Sequence, residues 1–416
     1  MLQDLADMPS KIAETKALLR RQLPNYREVF AEVSREIEQE AEEIAARFGA
    51  GDPIVPSVVY QDIVDGRVSP GIAAAIRRHG CAIVRSVFPR EQVTAWDREL
   101  LDYVTRNNYV EKAKAKSGLD NYFSKLKSGR PQIYGIYWSQ PQIEARQAAS
   151  IATTRTWLNT LWEWDGADGP YFVPNRDCTY ADRIRQREPG DNTLGLSPHV
   201  DGGTIERWID EGYRHVYRHV FSGEWRKHNP WAGEGRTETH EIPSPAVCQM
   251  FRTYQGWTAL TQQGPGDGTL RLVPMINAMT YMLLRAIQDD TPDDDLCGAE
   301  AGRALLASEK WHGPLLKALI PIPVVQPGDT VWWHPDVIHA VENEHRGSGY
   351  SSVIYIGSAP DCAKNRKYLP NQREAFLNGR SAPDFAAEDY EVEFEGRAAE
   401  ADLSPLGRKQ MGFESW

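Results

Sequence analysis

The stretch Ser197-Pro198-His199-Val200-Asp201-Gly202-Gly203-Thr204 constrains this chain more than any other. It sets an imidazole and a carboxylate two residues apart. In a β-strand, residues i and i+2 share a face, so at a strand end both side chains reach one small ion. The two glycines read as a sharp turn that stops the strand. A neutral imidazole plus a carboxylate is half of a site for a borderline metal. A second histidine from elsewhere would complete the two-histidine, one-carboxylate face of non-haem Fe(II) sites. His-x-Asp alone is common by chance, so the motif needs that third ligand before it means anything.

A run over 324–341 offers one. Val324 to Val341 reads as strand, Pro-Gly turn, strand, bend, strand. It carries two histidines, His334 and His339. Their spacing places them on opposite faces of a continuous strand, and Pro335 interrupts the strand between them. One of the two, not both, is therefore expected to be a ligand.

These runs carry a resemblance. Leu194–Gly203 (LGLSPHVDGG), followed much later by Gln326–Glu344 (QPGDTVWWHPDVIHAVENE), resembles the 2-oxoglutarate/Fe(II)-dependent dioxygenase superfamily. Within it the chain is most similar to the phytanoyl-CoA hydroxylase-like branch and the YbiU-like group. Gly256–Pro274 resembles the middle strands of that fold, and His79–Leu100 its entry strand and helix. The resemblance implies a double-stranded β-helix, a jelly-roll or cupin-like fold that is mainly β with α additions. It assigns the metal ligands to His199, Asp201 and His339, leaving His334 aside. It implies Fe(II), with 2-oxoglutarate as cosubstrate. Since Asp201 is present, hydroxylation or desaturation is expected rather than halogenation.

The C5 carboxylate of 2-oxoglutarate needs a cation, preferably a two-pronged arginine. The family places it in the strand after the distal histidine. Here that position falls near Tyr350, not on an arginine. Arg346, in the preceding turn, is the first expectation, with Tyr350 and Ser352 as hydrogen-bond partners. Arg252 and Arg271, on the middle strands, are the alternatives. Asp182, Arg183 and Arg185 alternate along a predicted strand, 179–185, and are read first as solvated or structural ion pairs, with service to the site as the alternative.

The remaining chain supplies the frame. A barrel with helical additions accommodates all 416 residues. Residues 1–50 read as a helical extension. In its second helix Val29, Val33, Ile37, Ala41 and Ile44 form an apolar stripe that packs on the main body or on a second copy. The oxygenase domain is expected over 51–380. Its insertion, 205–245, is rich in Trp, Tyr, His and Arg and is expected to cover the metal mouth with its aromatics. Lys112 to Arg130 reads as a basic, mobile excursion. Residues 381–416 read as an acidic tail packed on the surface.

Composition limits the alternatives. The net charge of −11 argues against non-specific nucleic-acid binding and against anionic membrane surfaces. With a mean hydropathy of −0.53, no apolar run approaches the ~20 residues of a membrane span. The N-terminus has no signal-peptide pattern. Five scattered cysteines and no Cys-x-x-Cys point to free thiols in a reducing cytoplasm. The expected partner is a small organic molecule. Two other readings stay open: a cupin-type metalloprotein without cosubstrate, and a non-catalytic scaffold.

Overall fold

Two antiparallel-rich sheets hold the site between them. The computed structural model describes residues 7–115, 132–191, 196–245 and 247–416. The larger sheet runs in the order Ser57–Val59, Cys81–Arg85, Thr330–Trp333, Tyr254–Ala259, Ser351–Asp361, Ile184–Arg187, Ile133–Tyr134, and Val173–Cys178 pairs with the far part of Ser351–Asp361. The smaller sheet runs Leu305–Leu306, His199–Val200, His339–Val341, Leu270–Leu272, Ile320–Pro321. Neither sheet closes into a barrel.

Helix outweighs strand, at about 41% against 17%, so the expected mainly-β composition gives way to a mixed α/β protein with several sheets. The local signals that build it are the ordinary ones. Helix Pro70–His79 starts where the Ser69 hydroxyl accepts from the Ile72 N–H, and stops at Gly80, which takes a left-handed conformation at φ 67°. Asp329 closes the Pro327-Gly328 turn by accepting from the backbone of Gln326 and Ser86. Pro335 then carries the chain from Thr330–Trp333 in the larger sheet to His339–Val341 in the smaller one.

The N-terminal helices, Met8–Gln22 and Tyr26–Gly49, cover the outer face of the smaller sheet. Their apolar stripe shares one core with Val200, Ile338 and Ala340 and with helices Ala278–Arg285 and Glu309–Leu316. The chain thus buries the stripe itself, and a second copy is not needed for that. The far end of the chain is anchored as well. The buried Glu391 carboxylate accepts from the backbone of Tyr137 and Trp138 and from the Tyr103 hydroxyl. All five cysteines are unpaired and buried. Among the described residues no helix is long and apolar enough to cross a membrane. The excursion expected over 112–130 lies outside the described residues beyond Ala115, where helix Tyr109–Ala115 ends.

Candidate metal centre

The structure brings His199, Asp201 and His339 together. His199 and His339 are directly opposed across the smaller sheet, so both side chains leave the same face, with ring centroids 4.2 Å apart. Asp201 follows the His199 strand and turns its carboxylate between them. One oxygen lies 3.5 Å from His199 Nε2 and the other 3.6 Å from His339 Nε2. The three potential ligand atoms lie within 4.8 Å of one another. Both glycines after Asp201 are required. Gly202 takes φ 94°, and a Cβ on Gly203 would sit 2.6 Å from the Tyr213 ring.

The protonation pattern suits a metal. His199 Nδ1 donates to the Ser197 carbonyl at 2.6 Å, and His339 Nδ1 to the Val337 carbonyl at 3.3 Å. A carbonyl only accepts, so each ring carries a proton on Nδ1 and turns its Nε2 toward Asp201. Burial, and then the neighbouring His339, lower the His199 pKa to about 4. Burial alone would raise that of Asp201, but the two histidines and Arg252 hold it well below the usual carboxylate range. Neutral imidazoles and an ionised carboxylate are the forms that bind metal. The Gln255 side-chain amide donates to Asp201 Oδ2 and orients it.

His334 serves the fold. Its Nε2 faces the Pro230 carbonyl at 3.1 Å, its Nδ1 accepts from the Asp336 N–H at 3.0 Å, and its ring stacks on Trp162.

A staple that the sequence reading missed joins the two ligand-bearing segments. Arg207 donates to the Gly203 and Asp201 carbonyls at 2.7 and 3.2 Å, and to Asp336 at 2.7 Å. Arg236 takes the other Asp336 oxygen at 2.8 Å, and Tyr217 donates to Asp336 as well. Three of these residues come from the 205–245 insertion. Of the insertion's residues only Pro245 lines this cavity, while Tyr213, Val216, Arg236, Thr239 and Glu241 line a second one that also reaches Asp201 and Arg252. Its aromatics are buried in the body, Trp208 donating to the Leu283 carbonyl at 3.0 Å. The sequence signal for the staple is Arg207 shortly after Asp201 and Asp336 shortly before His339.

The cavity beside the three ligands lies between the sheets, walled by Trp257, Ile356, Leu270 and Val341. The residues expected for the cosubstrate clamp divide: Arg252 lines the cavity, and Arg346, Tyr350, Ser352 and Arg271 do not. Arg346 is exposed on its turn, and Tyr350 is 38% exposed. Both precede the strand, which begins only at Ser351. Ser352 is buried but engages Gln186 at 3.2 Å, and Arg271 donates to the Leu319 carbonyl. None of the four lines the cavity. Arg252 does, as do Arg183 and Arg185. Arg185 corrects the ion-pair reading. It is 3% exposed, and its Nε and Nη2 have no partner among the described residues. Its Nη1 lies a long 3.5 Å from the Gly268 carbonyl. Burial opposes its charge.

A pair of facing histidines with a carboxylate, set beside a cavity, is a candidate metal site. The chain belongs to the Gig2-like family, which it matches over residues 6–413. It is 42% identical over 411 residues to the uncharacterised protein YbiU of Escherichia coli K12, covering 98% of this chain and 97% of that one. A crystal structure of a candidate oxidoreductase from Salmonella typhimurium LT2 superposes with a TM-score of 0.92 at 40% identity, over 98% of both chains. The Candida albicans GlcNAc-inducible protein GIG2 superposes at 0.80 and 28% identity, over 97% of this chain and 90% of that one.

Proposed function

We propose that this protein is an Fe(II)- and 2-oxoglutarate-dependent oxygenase that hydroxylates or desaturates a small organic substrate. The observation that carries the reading is Arg185: a buried guanidinium whose Nε and Nη2 have no partner among the described residues, in the same cavity as His199, Asp201 and His339. A charge buried and unpaired costs several kcal/mol, so it is there to meet an anion. A dicarboxylate that chelates the metal at one end and meets Arg185 at the other satisfies both features. The naming of the Salmonella relative as an oxidoreductase agrees with this.

Each part of the chain then has a task. His199, Asp201 and His339 would hold iron by one face and leave the other face open. When bound, iron and 2-oxoglutarate supply the oxidising chemistry. Gln255 and the Arg207–Asp336 staple keep the ligands aimed. Trp257, Trp333 and Ile356 exclude water from the open face. We read the two facing sheets as an open form of the double-stranded β-helix, spanning 51–380, with residues 1–50 on its outer face and 381–416 as an outer layer. The buried free thiols suit a reducing compartment, the cytoplasm.

The test needs no substrate. Anaerobic Fe(II) with 2-oxoglutarate should give the weak visible charge-transfer band of the chelate. The band should vanish in Arg185→Met and in His199→Ala. Iron bound tightly without any band in the wild-type protein would replace this reading with a cupin-type metalloprotein.

A further inference from the structure

A second guanidinium in the cavity is left without a task. Arg252 lies half-buried against the Tyr180 ring, 4.9 Å from its centroid, and donates no hydrogen bond among the described residues. It is not a neighbour of Arg185. Arg185 is paired with Val353, whereas the Arg252 side chain passes Gly357, its Cδ 3.5 Å from where a Cβ would stand. Those two positions lie four residues apart on one strand, or about 13 Å. Gln255, which holds Asp201, is paired with Gly357 itself. Arg252 therefore sits at the metal end of the cavity and Arg185 at the other.

The charges point the same way. A divalent ion on two neutral histidines and Asp201 keeps one positive charge. That charge and Arg185 match the two negative charges of the cosubstrate. Arg183, also in the cavity wall, has Asp182 beside it at 3.7 Å. Arg252 remains, positive and facing the space next to the metal.

We propose that the substrate carries an oxyanion, a carboxylate or a phosphate, and that Arg252 binds it beside the metal. This rests on the oxygenase reading for the assignment of Arg185 to the cosubstrate. A guanidinium fork offers paired donors to either oxyanion and discriminates strongly against a neutral hydroxyl. It would hold the substrate by its charged end and present the adjoining carbons to the open face of the metal.

Calorimetry on full-length protein loaded with Mn(II) and saturating 2-oxoglutarate tests this, with butyrate, butyl phosphate and butanol as probes. The expected result is binding of at least one anion and much weaker binding of butanol. Arg252→Met should weaken the anion at least tenfold while leaving Mn(II) binding intact, and Arg252→Lys should recover part of the loss. Arg346→Ala should change nothing. The tighter of the two anions identifies the substrate's charged group. Equal anion binding in Arg252→Met, or no anion binding to the wild type, overturns the proposal. So does loss of the 2-oxoglutarate band in Arg252→Met with the band kept in Arg185→Met, since Arg252 would then be the cosubstrate clamp. If the wild type forms no band at all, the oxygenase reading fails by itself, and the same titration with Mn(II) alone still reports on Arg252.

Discussion

Arg207 and Asp336 meet at 2.7 Å with 2% and 1% of their side chains exposed, and through this pair the Asp201 turn is tied to the bend before His339. Two arginines converge on the one carboxylate, which they hold far below its usual range against the cost of burial. Asp336→Ala should therefore leave Arg207 and Arg236 buried without a counter-charge, at a cost of about 3–5 kcal/mol. Urea denaturation measures that loss. The positioning role makes a further demand, because a merely structural pair would not change the metal site of the folded protein. Mn(II) affinity in the folded variant should fall by about tenfold, the low end for residues that orient metal ligands. Unchanged affinity would reduce the pair to a structural one.

The two histidines of the 334–339 bend should separate cleanly. His339→Ala removes a ligand and should abolish most Fe(II) or Mn(II) binding, with little loss of fold stability. His334→Ala should do the reverse. It leaves the Pro230 carbonyl and the Asp336 N–H without partners in the interior, worth about 1–3 kcal/mol each, while metal binding persists. Metal analysis beside a melting curve for each variant decides it. Metal lost from His334→Ala and kept in His339→Ala would reverse the assignment.

What the sequence made legible follows from range. His199 and Asp201 share a strand end, so their spacing was enough to pair them. The glycine pair behind them announced a turn, and both glycines prove sterically necessary. Spacing could not choose between His334 and His339; that choice depends on the turn at Pro335, since His334 stands just past Thr330–Trp333 and His339 opens the strand of the smaller sheet. Arg185 was misread because an arginine in an alternating strand looks the same whether its partner is an aspartate or nothing. Only the packing of Ile184–Arg187 beside Ser351–Asp361 places its head group in a cavity with Nε and Nη2 unpartnered among the described residues. The insertion is ambiguous in sequence for a related reason. Aromatic residues mark burial, and sequence does not say whether they bury a ligand or the protein's own core.

The cosubstrate clamp gives a two-variant contrast. Arg185→Lys should retain a charge but lose the planar fork, and so bind 2-oxoglutarate about tenfold more weakly than wild type. Arg346→Ala, on its exposed turn, should titrate like wild type. Anaerobic titration of the visible band reads both. A wild-type-like curve for Arg185→Lys together with a large shift for Arg346→Ala would restore the turn as the clamp.

The last prediction concerns the end of the chain, where a carboxylate is buried away from the site. Glu391 is 1% exposed and its pKa is raised to about 7. Burial is the main cause, and it outweighs the donors from Tyr137, Tyr103 and Trp138 and the charge of Arg146. In the unfolded chain the same group titrates near its ordinary value, about 4.3. Between those two values the native state holds a proton that the unfolded state has lost. Stability from this group is therefore fully present below the unfolded pKa and declines as pH rises through the folded one. The slope reaches at most about 1.4 kcal/mol per pH unit. Other buried groups add their own slopes, and His228 and His312, lowered to about 4 by burial, act in the opposite sense. A difference measurement removes them. Glu391→Gln keeps the shape and cannot titrate. Whatever constant penalty its amide incurs against the Tyr137 and Trp138 N–H groups, that penalty has no pH dependence. The stability of wild type minus that of Glu391→Gln should fall steadily from pH 4.5 to 7 and then level off. Urea denaturation of both proteins at four pH values across that range measures it, and parallel stability curves would show that Glu391 is ionised in the folded protein throughout.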